Sequence, residues 1–168
     1  MAALHLGRLT LGGEMMDSRA ALDDAGTVIH SGIVNPVDLL QAYTHWQGED
    51  LFSPGSRSDL RIGRITMDVG SRRFVARNRY RNTINGFTGI DWLWQGTSGR
   101  QLRAFFTLPV NRKPNIPAEL RNYDVEFDQQ DTEVKFWGLY YAATLGWGDL
   151  FLFTGQLQVL TLRLLPRP

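Results

Sequence analysis

The sequence predicts a mainly β protein, an antiparallel sandwich or small barrel with one short helix near residues 36–47. Three observations predict it. Short runs rich in β-branched and aromatic residues recur along the chain, glycine-containing turns separate them, and a single segment combines a helix start signal with helical spacing.

Taken in order, Leu4 to Leu11 reads as a first strand ended by Gly12-Gly13, and Met15 to Leu22 as either a short helix or an extended arm. Thr27 to Val34 is β-branched enough for a strand. Asn35-Pro36 then has the form of a helix cap with proline in the first turn, and Leu39, Leu40, Tyr43 and Trp46 give the buried stripe of a helix ending near Gly48. Glu49 to Ser58 is a loop; Leu60 to Val69, interrupted by Gly63, is a bulged or edge strand. Phe74 to Thr83 is the next extended segment. Asn85-Gly86 marks a turn, and Ile90 to Leu108 is a hairpin about Gly96-Thr97-Ser98-Gly99. Pro109, Pro114 and Pro117 make residues 109–117 a semi-rigid loop. Arg121 to Asp128 alternates as a strand, Glu133 to Thr144 and Asp149 to Thr154 are aromatic strands joined at Gly146-Trp147-Gly148, and Gln156 to Leu164 is the last strand.

At 168 residues the chain has the length of one domain, 1–168, with an N-terminal arm. Among 18 basic residues only Lys113 and Lys135 are lysine, so the cations are chosen for planar, bidentate contacts. The absence of cysteine excludes disulfides, thiolate catalysis and cysteine-built zinc sites. Met1 to Leu11 is interrupted by His5, Gly7 and Arg8 and lacks the apolar core of a secretory signal. No run approaches the roughly 20 apolar residues of a spanning helix, and the expectation is a soluble protein with no membrane partner.

The densest chemical signal is arginine. In an extended Phe74 to Thr83, alternation places Arg73, Arg77, Arg79 and Arg81 on one face, where like charges require an acidic or polyanionic partner. Asp124, Glu126 and Asp128 alternate against Tyr123, Val125 and Phe127 and supply acids of matching period, within the chain or from a neighbouring copy. Nine Phe, five Trp and five Tyr are the expected packers of a β core, whereas Trp147 between two glycines is a candidate ligand or partner anchor. No enzyme, cofactor or metal is expected. His5, His30 and His45 are scattered, nucleophile and phosphate-loop motifs are missing, and Asp17, Asp23 and Asp24 lack calcium-loop spacing.

Arg77-Asn78-Arg79-Tyr80-Arg81, Trp92-Leu93-Trp94 and Gly146-Trp147-Gly148, within a β-rich, cysteine-free chain, give it a character that resembles the small structural proteins of tailed-bacteriophage virions. The resemblance implies a homo-oligomeric ring or tube subunit of the tail, baseplate or connector. Its partners would be other copies and other virion proteins, with DNA in a lumen facing the arginines. The alternatives are a carbohydrate-binding β-sandwich module, with a glycan ligand, and a nucleic-acid-binding β domain. The net charge of +1 argues against the last.

Overall fold

The computed structural model describes residues 1–21, 26, 28–70, 72, 75–77, 81–145 and 148–159. Among these described residues nine strands and one helix follow in order: β1 Ala2–Leu6, β2 Leu9–Ser18, β3 Asn35–Glu49, β4 Arg57–Ile65, β5 Phe87–Gln95, β6 Gln101–Asn111, α1 Pro117–Asn122, β7 Gln129–Gln130, β8 Val134–Leu145 and β9 Gly148–Val159. The mainly β, antiparallel expectation holds. The strands form one open sheet in the order β1-β2-β3-β4-β5-β6-β8-β9, with the two-residue β7 pairing the far end of β6.

The expected helix at 36–47 is the longest strand, β3. Leu39, Leu40, Tyr43 and Trp46 have helical spacing only because apolar residues serve both sides of this strand. Pro36 is tolerated because it lies where the β2–β3 register shifts, between the pairs at Met16 and Ser18, so its missing N–H interrupts no ladder bond. The helix lies instead at Pro117–Asn122, in the stretch read as a proline loop and an acidic strand. Pro117 opens it, Leu120 is its buried anchor, and Tyr123 ends it with φ 55°. Residues 124–128 therefore belong to no strand.

Other boundaries move in the same direction, towards longer strands. Gly12 and Gly13 lie inside β2, and the chain reverses at Gly7-Arg8 instead. Residues 28–34 form a connection, and Pro109 lies within β6. The predicted hairpin over 90–108 is present as β5 and β6, which pair from Phe87 with Pro109 to Gln95 with Gln101. The residues beyond 159 of the expected last strand lie outside the described residues.

Strand connections are unequal at the two ends of the sheet. At one end they are short: residues 7–8, 50–56, 96–100 and 146–147. At the other they are long: residues 19–34, 66–86 and 112–133, the last containing α1 and β7. The 66–86 loop folds back over one face of the sheet, where Met67, Val69 and Val75 pack with Ile65, Phe105, Tyr140 and Ala142. A second, smaller core of Ile29, Val34 and Leu120 ties the 19–34 loop to α1.

Gly63 shows how close the strands come. Its φ is +129°, and a Cβ there would sit 2.4 Å from the carbonyl oxygen of Ala42 on β3. Gly63→Val is expected to destabilise the folded chain by about 1–3 kcal/mol. Urea titration checks this, an unchanged midpoint being the contrary result.

Candidate functional site: a two-faced sheet

The ladder register assigns every side chain to a face, because residues paired across neighbouring strands point the same way. One row runs Leu4, Leu11, Thr44, Ile62, Ile90, Phe106, Trp137 from β1 to β8. The next runs Leu6, Leu9, Trp46, Leu60, Trp92, Ala104, Leu139. Apart from Thr44, these rows are apolar across the whole sheet. They are also uncovered: Leu4, Leu6, Leu9, Leu11, Ile62, Ile90, Phe106 and Leu139 are all exposed, Phe106 at 50 %. Towards the short-turn end the face becomes aromatic. Trp94 and Tyr141 flank Leu102 in the following row, the Trp94 indole N–H donates to the Leu51 carbonyl at 3.0 Å, and Phe52 meets Trp92 edge-on at 6.0 Å.

The opposite face is covered by the 66–86 loop, and beside the apolar core of Ile65, Phe105 and Tyr140 it carries buried charge, which the covered side of a sheet seldom holds. Asp91, 2 % exposed, accepts from two guanidiniums, Arg61 of β4 at 2.5 Å and Arg103 of β6 at 2.6 Å. One carboxylate between two arginines leaves an excess positive charge. In the adjacent row Asp59 accepts from Arg57 at 2.9 Å and Gln47 at 3.1 Å, and contacts His45 at 2.8 Å. Glu14 of β2 accepts from Gln41 at 2.5 Å and from Arg77 at 2.9 Å.

Arg77 belongs to the 66–86 loop, so its pair with Glu14 fastens that loop across the polar face. The loop is held further by Arg103 donating to the Asp68 carbonyl and by the Arg77 backbone N–H donating to the Asp68 carboxylate at 2.7 Å. At the long-loop end of the sheet, two residues beyond Ile62 and on the same side as it, Arg64 joins Asp38 at 3.1 Å and Asp128 at 2.8 Å. Asp128 also accepts from the Lys113 backbone N–H at 2.8 Å and from Asn35 at 3.3 Å. Nearby, burial pulls the Arg112 guanidinium below its ordinary value; Asp128 and Asp38 act against that, and Arg81 reinforces it.

The residues singled out in the sequence are distributed differently from the expected pair of charged strands. The segment around Val75 makes only an isolated bridge, to Val69. Arg77 pairs with Glu14, Arg81 is exposed in the loop, and Arg73, Arg79 and Trp147 lie outside the described residues. Asp124 and Glu126 are exposed, and Asp128 is the acid that is buried, against Arg64. Among the described residues no group of three or more His, Asp or Glu is placed to hold a metal. Among the described residues no helix is long and apolar enough to cross a membrane, a statement that does not bear on crossing with strands.

A family model described as alginate export matches residues 7–159. The chain belongs to the alginate export family. No curated protein and no solved structure matches significantly. Membership overturns the phage reading, with its ring-subunit function, its virion partners and its virion or soluble location. It favours neither the carbohydrate-binding-module nor the nucleic-acid alternative. The context of an alginate export family is bacterial polysaccharide export at the outer membrane, which also overturns the expectation of no membrane partner. The sequence signal that carried this was the pairing of Leu60 and Ile62 with Asp59 and Arg61, and of Ile90 and Trp92 with Asp91. A strand that is apolar on one side and charged on the other does not say which side is covered.

Asp91→Ala leaves Arg61 and Arg103 facing each other with no acid between them, and is expected to cost about 3–5 kcal/mol of stability. Urea unfolding in micelles measures it, and a loss below about 1 kcal/mol would remove Asp91 from its central place.

Proposed function

We propose that the chain forms part of the wall of an outer-membrane β-barrel through which alginate is exported, with the apolar face towards lipid and the polar face towards the lumen. The observation that carries this is the two-faced sheet: continuous exposed apolar rows on one face and buried ion pairs on the other. A transmembrane β-strand needs about 9–11 residues. β2, β3, β4, β5, β6, β8 and β9 have 10, 15, 9, 9, 11, 12 and 12. Every backbone polar group at membrane depth must be paired within the protein, which an antiparallel ladder achieves. Trp46, Trp92, Trp94 and Tyr141 have the place of an interfacial aromatic girdle, since they cluster towards one end of the apolar rows.

Short turns at one end and long loops at the other match the periplasmic and external ends of such barrels, and orient the 19–34, 66–86 and 112–133 loops outward. In a closed wall the outermost strands β1 and β9 pair with further strands. Alginate is a polyuronate, and the lumenal arginines suit it without trapping it. Arg61 and Arg77 are partly exposed and each already holds an internal acid, so a passing carboxylate shares a guanidinium and leaves it again. The 66–86 loop, fastened over the polar face, narrows the path. In this reading the chain conducts and performs no chemical step.

Ile90→Arg puts a cation in the middle of the outer rows and is expected to cost about 2–4 kcal/mol in lipid vesicles. The same change at Leu93, on the polar face, should cost less. Urea titration of both variants in vesicles decides it, and an equal or reversed order would overturn the assignment of faces.

A further inference from the structure

Past the end of β6 the chain enters an open cleft of about 570 Å³ lined by Ser31, Asn111, Arg112, Lys113, Asn115 and Gln129. Its charge is unbalanced. Arg64, Arg81, Arg112 and Lys113 lie in or beside it, against the acids Asp38, Asp128 and Asp131. Asp38 and Asp128 are already taken by Arg64, at 3.1 and 2.8 Å, and Asp131 accepts from the Asn111 side chain at 3.2 Å. Arg112 is held in place by donating to the Asn85 side-chain oxygen at 2.7 Å, and its Nε is buried without a hydrogen-bond partner. Among the described residues the Lys113 ammonium makes no ion pair. Four cations against three acids, each already engaged, leave a net positive charge in a cleft large enough for a sugar ring.

We propose that this cleft is a binding subsite for one carboxylated sugar unit of the exported chain. Arg112 and Lys113 take the carboxylate. Asn115, Gln129 and Ser31 face the ring hydroxyls, because amide and hydroxyl groups both donate and accept, as vicinal hydroxyls do. A simple oxyanion such as phosphate would draw on donors alone and leave the amide oxygens without a role. The inference rests on the export reading above and deepens it: the subsite sits at the long-loop mouth, where a polyuronate leaving the lumen would be held unit by unit.

The test is calorimetric titration of the chain folded in detergent micelles with trimannuronate, neutral mannotriose and inorganic phosphate. Trimannuronate should bind and mannotriose should not, and Lys113→Gln should weaken trimannuronate about fivefold to tenfold, the scale of one charge-assisted contact. Arg112→Gln should weaken it further. Because Arg112 is packed locally, the partly exposed Lys113 is the deciding position. Equal affinity for mannotriose, equal affinity for phosphate, or unchanged affinity in Lys113→Gln would each overturn the subsite. Tryptophan emission of the same samples in lipid vesicles separates the two failures. A chain that inserts but does not prefer trimannuronate sinks the subsite alone, and one that does not insert sinks the export reading with it.

Discussion

The two-residue pleat of the antiparallel ladder is the constraint on which the rest of this structure depends. Once the backbone polar groups are paired along the ladder, the only freedom left to the sequence is which side of the sheet each residue occupies. From β2 to β8 the choice is consistent in register, so that Ile62 aligns with Ile90 and Phe106, and Arg61 aligns with Asp91. A one-residue slip between β4 and β5, or between β5 and β6, would push a guanidinium into the apolar rows. Desolvation of an unpaired charge makes such slips costly, and the ion pairs thereby fix register as well as filling the polar face.

The polar face needs the 66–86 loop as much as the loop needs the face. Arg103 donates from two nitrogens to Asp91 and from the third to the Asp68 carbonyl, so the same side chain joins β5, β6 and the loop. The apolar residues Met67, Val69 and Val75 would be misplaced on a surface loop, and they find Phe105, Tyr140 and Ala142 beneath them. At the loop end, Asp128 does the corresponding work for the 112–133 connection by meeting Arg64, Asn35 and the Lys113 backbone together. Charged anchors thus fasten both segments, and the apolar cores beneath them are small.

Much of the β architecture was legible in the chain. Asn85-Gly86 and Gly96 to Gly99 marked the turns around β5 and β6, and the aromatic alternation of β8 was visible as a strand. The helix was misplaced because helical spacing in Leu39, Leu40, Tyr43 and Trp46 also arises in a strand whose two faces both carry large residues, which is what a sheet wetted by lipid on one side demands. The acidic alternation of Asp124, Glu126 and Asp128 had strand period but no strand partner; Tyr123, in a left-handed conformation, breaks the chain before it. The candidate site was the harder part. Asp91 looked like one acid in an aromatic run, and only the register shows it between Arg61 and Arg103. Whether the leucines of β1 and β2 face a core or a solvent of lipid is a property of the whole sheet, absent from any one strand.

The central claim, that the apolar rows face lipid and the ion-paired rows do not, can be measured directly because the chain has no cysteine. Single cysteines at Ile62, Ile90 and Phe106, and at Thr10, Leu93 and Gln95 on the other face, can each carry a nitroxide in vesicle-inserted protein. Collision with dissolved oxygen should be high and collision with a water-soluble nickel chelate low at the first three positions, with the opposite order at the second three. Equal accessibility to the nickel chelate on both faces would contradict the account.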